Sequence, residues 1–599
     1  VRRIVDQARD IAWQLQYPLG RHAWRTEIRA VWHGLRGASP LVGAIAQRDF
    51  TPWYWLEKWA SKSPNLIALS DERGSLSWYQ LRRKAAAWGA VLRAAGVGPR
   101  IKVAVVADNS VHLVLALFAI NWAGGSALLL DKRCDKSWLA TALVDLEVTT
   151  VLVDRGQFLQ ETTLPANCAS HVLEEFFETS PSVESELSDS CHGSSSEPFA
   201  HLVTSGTTGN PKATRVSNAR AVLSGFGIGR MCLSLEPHDV IYCVLPLSHA
   251  TALLTGLCAA LIAGCSFVMR KTFRTEGFWS DVERERATCL IYVGELARYL
   301  LAAPAAPGEQ THKLRVAYGN SLALDVWHLF QARFRIPRIL EYYGATELPL
   351  ALVNLAERPG FVGRTPLARL SPWRIARRDP ESGELVRGQG GLCTPCNFGE
   401  EGELVLLTNP CRSWQATANR SDATSSSSQS MTRVTTIIRK NDSGLRTGDI
   451  VVRDEYGYVR FVDRTFEIFR QNGRNVSTTY VVGRLLQVDG VAGVGLTHIA
   501  LPHYDGQLGL AVLVPSTHFS FSALEEGYSR LAEYERPRFL RLTSHLRLNR
   551  GLKFDQATYR SEALDPGTVS EPTYVYTEGG FRRITAEMWG ALLLGYFRF

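Results

Sequence analysis

Two runs of apolar residues set the strongest limit on how this chain can fold. Ile101–Ala107 reads Ile-Lys-Val-Ala-Val-Val-Ala, and Val148–Val153 reads Val-Thr-Thr-Val-Leu-Val. A strand with one wet face alternates apolar and polar residues. A near-continuous valine-rich run marks a strand covered on both faces, as in parallel sheets. Leu81–Ala95 carries a helical pattern, and helical and β-rich segments alternate from about Phe50 onward. That alternation predicts an α/β fold: a large domain of parallel sheets flanked by helices. Val111–Leu130 and Ile241–Met269 are apolar enough to suggest membrane spans. Asn121 and Gly124-Gly125 interrupt the first, and Pro246, Ser248, His249 and Gly264 interrupt the second, so both predict buried helix–strand units.

At 599 residues the chain exceeds one ordinary domain. We divide it into a basic amphipathic N-terminal segment (1–49), a large domain (50–463) and a smaller α+β domain (464–599). Ser180–Ser195 and Thr417–Ser430 are low-complexity stretches, expected as surface loops. The net charge of +8 suits polyphosphate ligands or an anionic membrane surface, and no Lys/Arg tract points to nucleic acid. The 11 cysteines are scattered, with Cys243, Cys258 and Cys265 in apolar runs, as in reduced, cytosol-facing proteins. Cys393 and Cys396 lack the second pair a structural zinc needs. In 1–36, Ile4, Ile11, Leu15, Ile28 and Leu35 recur at helical spacing among seven arginines. Such a helix suits a membrane interface or a seat on the protein body.

The chemistry is concentrated in short polar segments. Phe199–Val203 is a short apolar strand that runs into Thr204-Ser205-Gly206-Thr207-Thr208-Gly209-Asn210-Pro211-Lys212. Glycines let a backbone approach an anion, successive N–H groups cradle its oxygens, and Lys212 adds a point charge. The spacing is not that of a Walker loop, because Ala213 stands where a magnesium-binding hydroxyl would be. Tyr318-Gly319-Asn320-Ser321 follows an apolar strand and offers backbone to a flat ring. Tyr342-Tyr343-Gly344-Ala345-Thr346-Glu347 ends another strand, with a carboxylate beside a hydroxyl. Thr447-Gly448-Asp449 offers a carboxylate suited to a ribose diol and opens a strand–turn–strand unit. Asp463-Arg464 and Asn549-Arg550-Gly551-Leu552-Lys553 supply cations.

In this order and at these separations, the segments resemble the adenylate-forming superfamily of acyl-CoA synthetases, luciferases and peptide-synthetase adenylation domains. Within it they are similar to the fatty acid transport protein and very-long-chain acyl-CoA synthetase family. Tyr292-Val-Gly-Glu-Leu-Ala-Arg-Tyr299, Val316–Leu322, Asp325-Val-Trp327, Asp454–Arg464 and Arg470–Thr479 carry that likeness. It implies ATP-dependent, Mg²⁺-dependent ligation of a long- or very-long-chain fatty acid to coenzyme A through an acyl-AMP. By the same likeness Thr204–Lys212 hold the ATP phosphates, and Gly319, Asn320, Ser321 and Tyr343 line the adenine. Glu347 holds Mg²⁺, Thr346 contacts the α-phosphate, Asp449 takes the ribose with Arg464 nearby, and Lys553 is the catalytic cation of a mobile C-terminal domain. His249 is placed at the mouth of an acyl tunnel. The resemblance also implies a membrane-associated, cytosol-facing protein.

Several positions depart from the family's pattern. Phe466 stands where the hinge has glycine, Glu467 where it has aspartate, and Leu348-Pro349 follow Glu347 in place of Gly-Asn. Two other readings stay open at this point. One is a membrane-associated fatty-acid uptake protein with weak catalysis; the other is a CoA ligase for another bulky acid, such as a bile acid.

Overall fold

The computed structural model describes residues 50–597 except 133–135, 156–163, 166–167, 179–192, 206–210, 349, 366–370, 380–381, 409–431, 465–467, 472–473, 505–506, 549–553 and 563. The basic N-terminal segment, most of the low-complexity stretches, the Gly206–Asn210 segment, Phe466, Glu467 and Lys553 therefore lie outside the described residues. The described chain groups into two compact units. Of the described residues, the first takes those up to Trp373 with those of Leu406–Leu445 and Asp454–Arg460; the second takes those of Arg374–Val405 and Arg446–Arg453 and those from Phe461 on.

Fourteen strands of the first unit build two sheets. In chain order they are β1 (Ile67–Ser70), β2 (Ser75–Ser77), β3 (Lys102–Val106), β4 (Ser126–Leu130), β5 (Thr150–Val153), β6 (Ala169–Val172) and β7 (Pro198–Ser205). They continue as β8 (Pro211–Ser217), β9 (Val240–Cys243), β10 (Ser266–Met269), β11 (Cys289–Val293), β12 (Val316–Asn320), β13 (Ile339–Tyr343) and β14 (Leu352–Val353). One sheet has the order β14-β13-β12-β11-β9-β10-β1-β2, and the other β6-β5-β3-β4-β7-β8. Only β2, β8 and β14, each at a sheet edge, run antiparallel to their neighbours.

The two apolar runs became β3 and β5, side by side and parallel. Their inward residues join Leu128, Leu130, Leu139 and Leu143 in one core. Both stretches that resemble spans fold as expected for buried units. Helix Val111–Trp122 leads into β4, and β9, the π-helical turn Thr251–Leu257 and helix Cys258–Ala263 lead into β10. Among the described residues no helix is long and apolar enough to cross a membrane. The expected helix at Leu81–Ala95 runs over Trp78–Ala94, three residues earlier, because Ser77 and Gln80 close a capping box there.

The second unit is α+β. Val491–Ile499, Leu508–Pro515, Phe539–Leu542, Thr573–Thr577 and Gly580–Arg583 form a five-stranded sheet in that order. Alternation along its second strand sends Ala511 and Leu513 to one core and Leu510 and Val512 to the other, so the sheet is covered on both faces.

Candidate functional site

Because β11, β12 and β13 are parallel neighbours, Val293, Asn320 and Tyr343 all leave the sheet at one edge. The chain reverses across this sheet at β9, with β10 on one side and β11 on the other. In open α/β sheets, ligands bind beyond the carboxyl ends of strands at such a switch point.

Two glycines shape this edge. A Cβ at Gly319 would meet the Tyr292 carbonyl oxygen at 2.0 Å, and one at Gly294 would meet the Ser321 carbonyl oxygen at 1.8 Å. The end of β12 is therefore pressed against the turn that starts helix Gly294–Ala302. Ser321 itself is held at φ +66°, a left-handed conformation that costs a residue with a Cβ. The Glu341 side chain braces the turn. It is 2% exposed, accepts the Tyr292 hydroxyl, and accepts the Leu322 N–H at 2.9 Å. Burial pushes this carboxyl up to about 8.

Asn320 Nδ2 reaches Thr251 Oγ1 at 3.4 Å. Tyr318 donates its hydroxyl to the Thr255 carbonyl at 2.9 Å, and the Tyr342 hydroxyl lies 3.3 Å from Thr255 Oγ1. These contacts seat Thr251–Leu257 against the ends of β12 and β13. The π-helical form of this segment is uncommon, and π turns recur at functional sites. His249 is half-buried two residues upstream. Its N–H donates to Pro246 at 3.0 Å, and its carbonyl accepts from Leu253 at 3.1 Å. Tyr343 is buried and meets Trp373 edge-on, with ring centroids 6.0 Å apart. Thr346 and Glu347 are half-buried in the following turn, which the Leu348 N–H closes on Ala345 at 3.0 Å.

The glycine-rich segment is flanked by two paired strands. The strand expected to stop at Val203 continues to Ser205, and Lys212 already lies in β8, opposite Thr204. The extra pairing follows from Thr204 and Ser205, whose β-compatible backbones extend the ladder on one side while Pro211 and Lys212 extend it on the other. Gly206, Thr207, Thr208 and Gly209 lie outside the described residues.

In the second unit Arg464 Nε lies 3.0 Å from Asp449 Oδ1. The segment Thr447-Gly448-Asp449 sits inside strand Ser443–Arg453 and does not precede it; Gly448 is accommodated there at φ +73°. Its turn is held from below. Thr447 donates its hydroxyl to the Leu404 carbonyl at 2.7 Å, and the Asp449 N–H donates back to Thr447 Oγ1 at 3.1 Å. The Gly448 N–H donates to buried Glu403 at 3.2 Å, and Arg446 neutralises Glu403 at 2.8 Å.

Glu341, Thr251, Glu403 and Arg446 support these segments without being singled out by the sequence motifs. Glu341 carries a signal in the sequence, since a single carboxylate inside the apolar run Ile339–Tyr343 must find buried partners. The other three become visible only through contacts distant in sequence.

Residues 56–408 match the family described as AMP-binding enzyme. Long-chain fatty acid transport protein 3 of Homo sapiens is 33% identical over 406 residues, covering 66% of this chain and 58% of that protein. The chain thus aligns with less than two thirds of that relative. Long-chain fatty acid transport protein 1 of Mus musculus is 30% identical over 538 residues, covering 86% of this chain and 82% of its own length. Among solved structures, a benzoate CoA ligase from Burkholderia xenovorans LB400 superposes with a TM-score of 0.69 at 19% identity, covering 85% of this chain and 99% of the ligase. The o-succinylbenzoate CoA synthetase of Bacillus subtilis, in complex with its acyl-adenylate intermediate, superposes with a TM-score of 0.65 at 20% identity, covering 84% and 96%. At these identities the structures establish the fold, and the sequence matches establish the lineage. This chain belongs to the AMP-binding enzyme family, and within it to the long-chain fatty acid transport proteins.

Proposed function

We propose that this protein is an AMP-forming acid–thiol ligase that joins a long- or very-long-chain fatty acid to coenzyme A. One observation carries the reading: the Gly319–Ser321, Tyr343–Glu347 and His249–Thr251 segments gather at one carboxyl edge of a parallel sheet.

In the first step a carboxylate oxygen attacks the α-phosphorus of ATP. The bond to the bridging oxygen breaks, and pyrophosphate leaves with that electron pair. In the second step the coenzyme A sulfur attacks the acyl carbon, loses its proton, and AMP departs. Adenylation replaces an oxide leaving group with a stable phosphate. The protein's task is then positioning and charge neutralisation.

Asn320 and Ser321 present backbone and side-chain polar groups to the base, Thr346 lies at the α-phosphate, and Asp449 accepts the ribose hydroxyls. Lys553 bridges the carboxylate and α-phosphate as charge develops. Thr204–Lys212 hold the outgoing phosphates. Glu347 would hold Mg²⁺, since that ion accepts a single protein carboxylate beside substrate phosphates, and when bound it would neutralise phosphate charge. His249 stands at the entrance for the acyl chain. Domain 464–599 turns between the half-reactions, and segment 1–49 holds the protein to an anionic membrane surface.

The test is acyl-CoA formation by the purified protein with ATP, Mg²⁺ and coenzyme A over a series of fatty acids. Rates that rise toward long chains support the reading. A preference for bile acids or other bulky acids, with fatty acids inert, overturns the substrate assignment.

A further inference from the structure

Among the described residues of the first unit, Arg220 is a buried charge left with two unpartnered nitrogens. It stands near the start of helix Asn218–Gly225, its N–H donating to the capping Ser217 Oγ at 3.2 Å. The residue is 7% exposed. Its Nη2 donates to the Leu348 carbonyl at 2.9 Å, one residue beyond Glu347. Its Nε and Nη1 meet no hydrogen-bond acceptor among the described residues. No carboxylate there lies within ion-pair distance; Glu347 acts on it only through space. A buried guanidinium normally takes carboxylates with several N–H groups at once, because leaving it unpaired is costly. The other buried arginine among the described residues of the unit obeys this rule: Arg270 pairs with both Asp281 and Glu285, each at 2.6 Å.

We propose that Arg220 is an oxyanion anchor, whose Nε–H and Nη1–H receive an anionic oxygen of the bound ligand beside the Thr346–Glu347 turn. The anchor takes either a nucleotide phosphate or the substrate carboxylate, since both present the same charged acceptor. This deepens the adenylating reading and rests on it for the choice of ligands. A guanidinium reserved for an incoming anion explains why a charge with two idle donors is kept in a buried place. It also explains the short tether to Leu348: the one bond it makes fixes it to the turn that carries Glu347.

The experiment follows thermal unfolding of the wild-type chain and of Arg220→Gln and Arg220→Met. Mg²⁺·ATP, inorganic pyrophosphate and palmitate are added separately, and dissociation constants are taken by calorimetry. Without ligand, both variants should unfold at or above the wild-type temperature, because an unpaired buried charge has been removed. Ligand-induced stabilisation should shrink, with affinity weakened roughly tenfold or more. Loss confined to ATP and pyrophosphate assigns the anchor to phosphate; loss confined to palmitate assigns it to the carboxylate. Equal ligand responses in wild type and variants overturn the anchor while leaving the adenylating reading standing. A wild type that answers pyrophosphate alone, with the variants silent, keeps the anchor and overturns that reading. Variants less stable than wild type, with no ligand stabilising either, overturn both.

Discussion

Arg464 sets its Nε 3.0 Å from Oδ1 of Asp449, and the pair is unequally sheltered: the Asp449 side chain is 4% exposed, that of Arg464 29%. The carboxylate proposed to meet a ribose is thus already oriented by a cation from a neighbouring segment. Removing the cation leaves a buried carboxylate with a poorer environment. Arg464→Ala should destabilise the chain by about 1–3 kcal/mol in urea unfolding. It should also weaken ATP binding, whereas Arg464→Lys restores part of both.

Glu341 gives a prediction about pH. Its carboxyl ionises near 4.5 when the chain is unfolded and near 8 in its buried place. Between these values the folded chain keeps a proton that the unfolded chain has released. Stability from this group is therefore complete below about pH 4.5, falls as pH rises toward 8, and then levels. Glu341→Gln keeps one acceptor, for the Leu322 N–H, turns an amide N–H toward the Tyr292 hydroxyl oxygen, and cannot ionise. The stability difference between wild type and variant should shift against the wild type across that window. A difference that stays flat from pH 4.5 to 8 contradicts a buried, titrating carboxyl.

Much of this was legible in the sequence, for identifiable reasons. The runs at β3 and β5 had no polar alternation, so only a doubly covered strand could accommodate them. The Tyr342–Glu347 segment was readable because an apolar strand stops abruptly at Tyr343. The limits of the strands flanking Gly206–Asn210 were misread because β8 and β7 extend each other through cross-strand pairing, a relation between residues that local pattern does not carry. Arg446 and Glu403 were invisible for a similar reason: 43 positions separate them, and a single charge in either segment looks like a solvated one.

The close packing around β12 predicts a sharp response to small changes. At both Gly294 and Gly319 the atom that a Cβ would strike is a backbone carbonyl oxygen, which cannot swing away. Gly294→Ala and Gly319→Ala should each cost about 1–3 kcal/mol or more through overpacking. Gly344→Ala is the control, since its Cβ would meet nothing closer than 3.7 Å. Chemical denaturation of the three variants checks the order.

Lys553 separates the two half-reactions. Lys553→Ala should slow acyl-AMP formation by roughly two to three orders of magnitude, as for other donors that act in the transition state. Thioester formation from supplied acyl-AMP should be nearly unchanged. Single-turnover assays started from either side make the comparison, and equal losses in both steps count against a cation specific to adenylation.

The account turns on a carboxylic acid made reactive by union with AMP. Its most direct test is exchange of labelled pyrophosphate into ATP by the purified protein, with Mg²⁺ and a long-chain fatty acid but no coenzyme A. Exchange that requires the acid and disappears in Glu347→Ala is the predicted result. Label that fails to enter ATP with every fatty acid, while the folded protein still binds ATP, contradicts it.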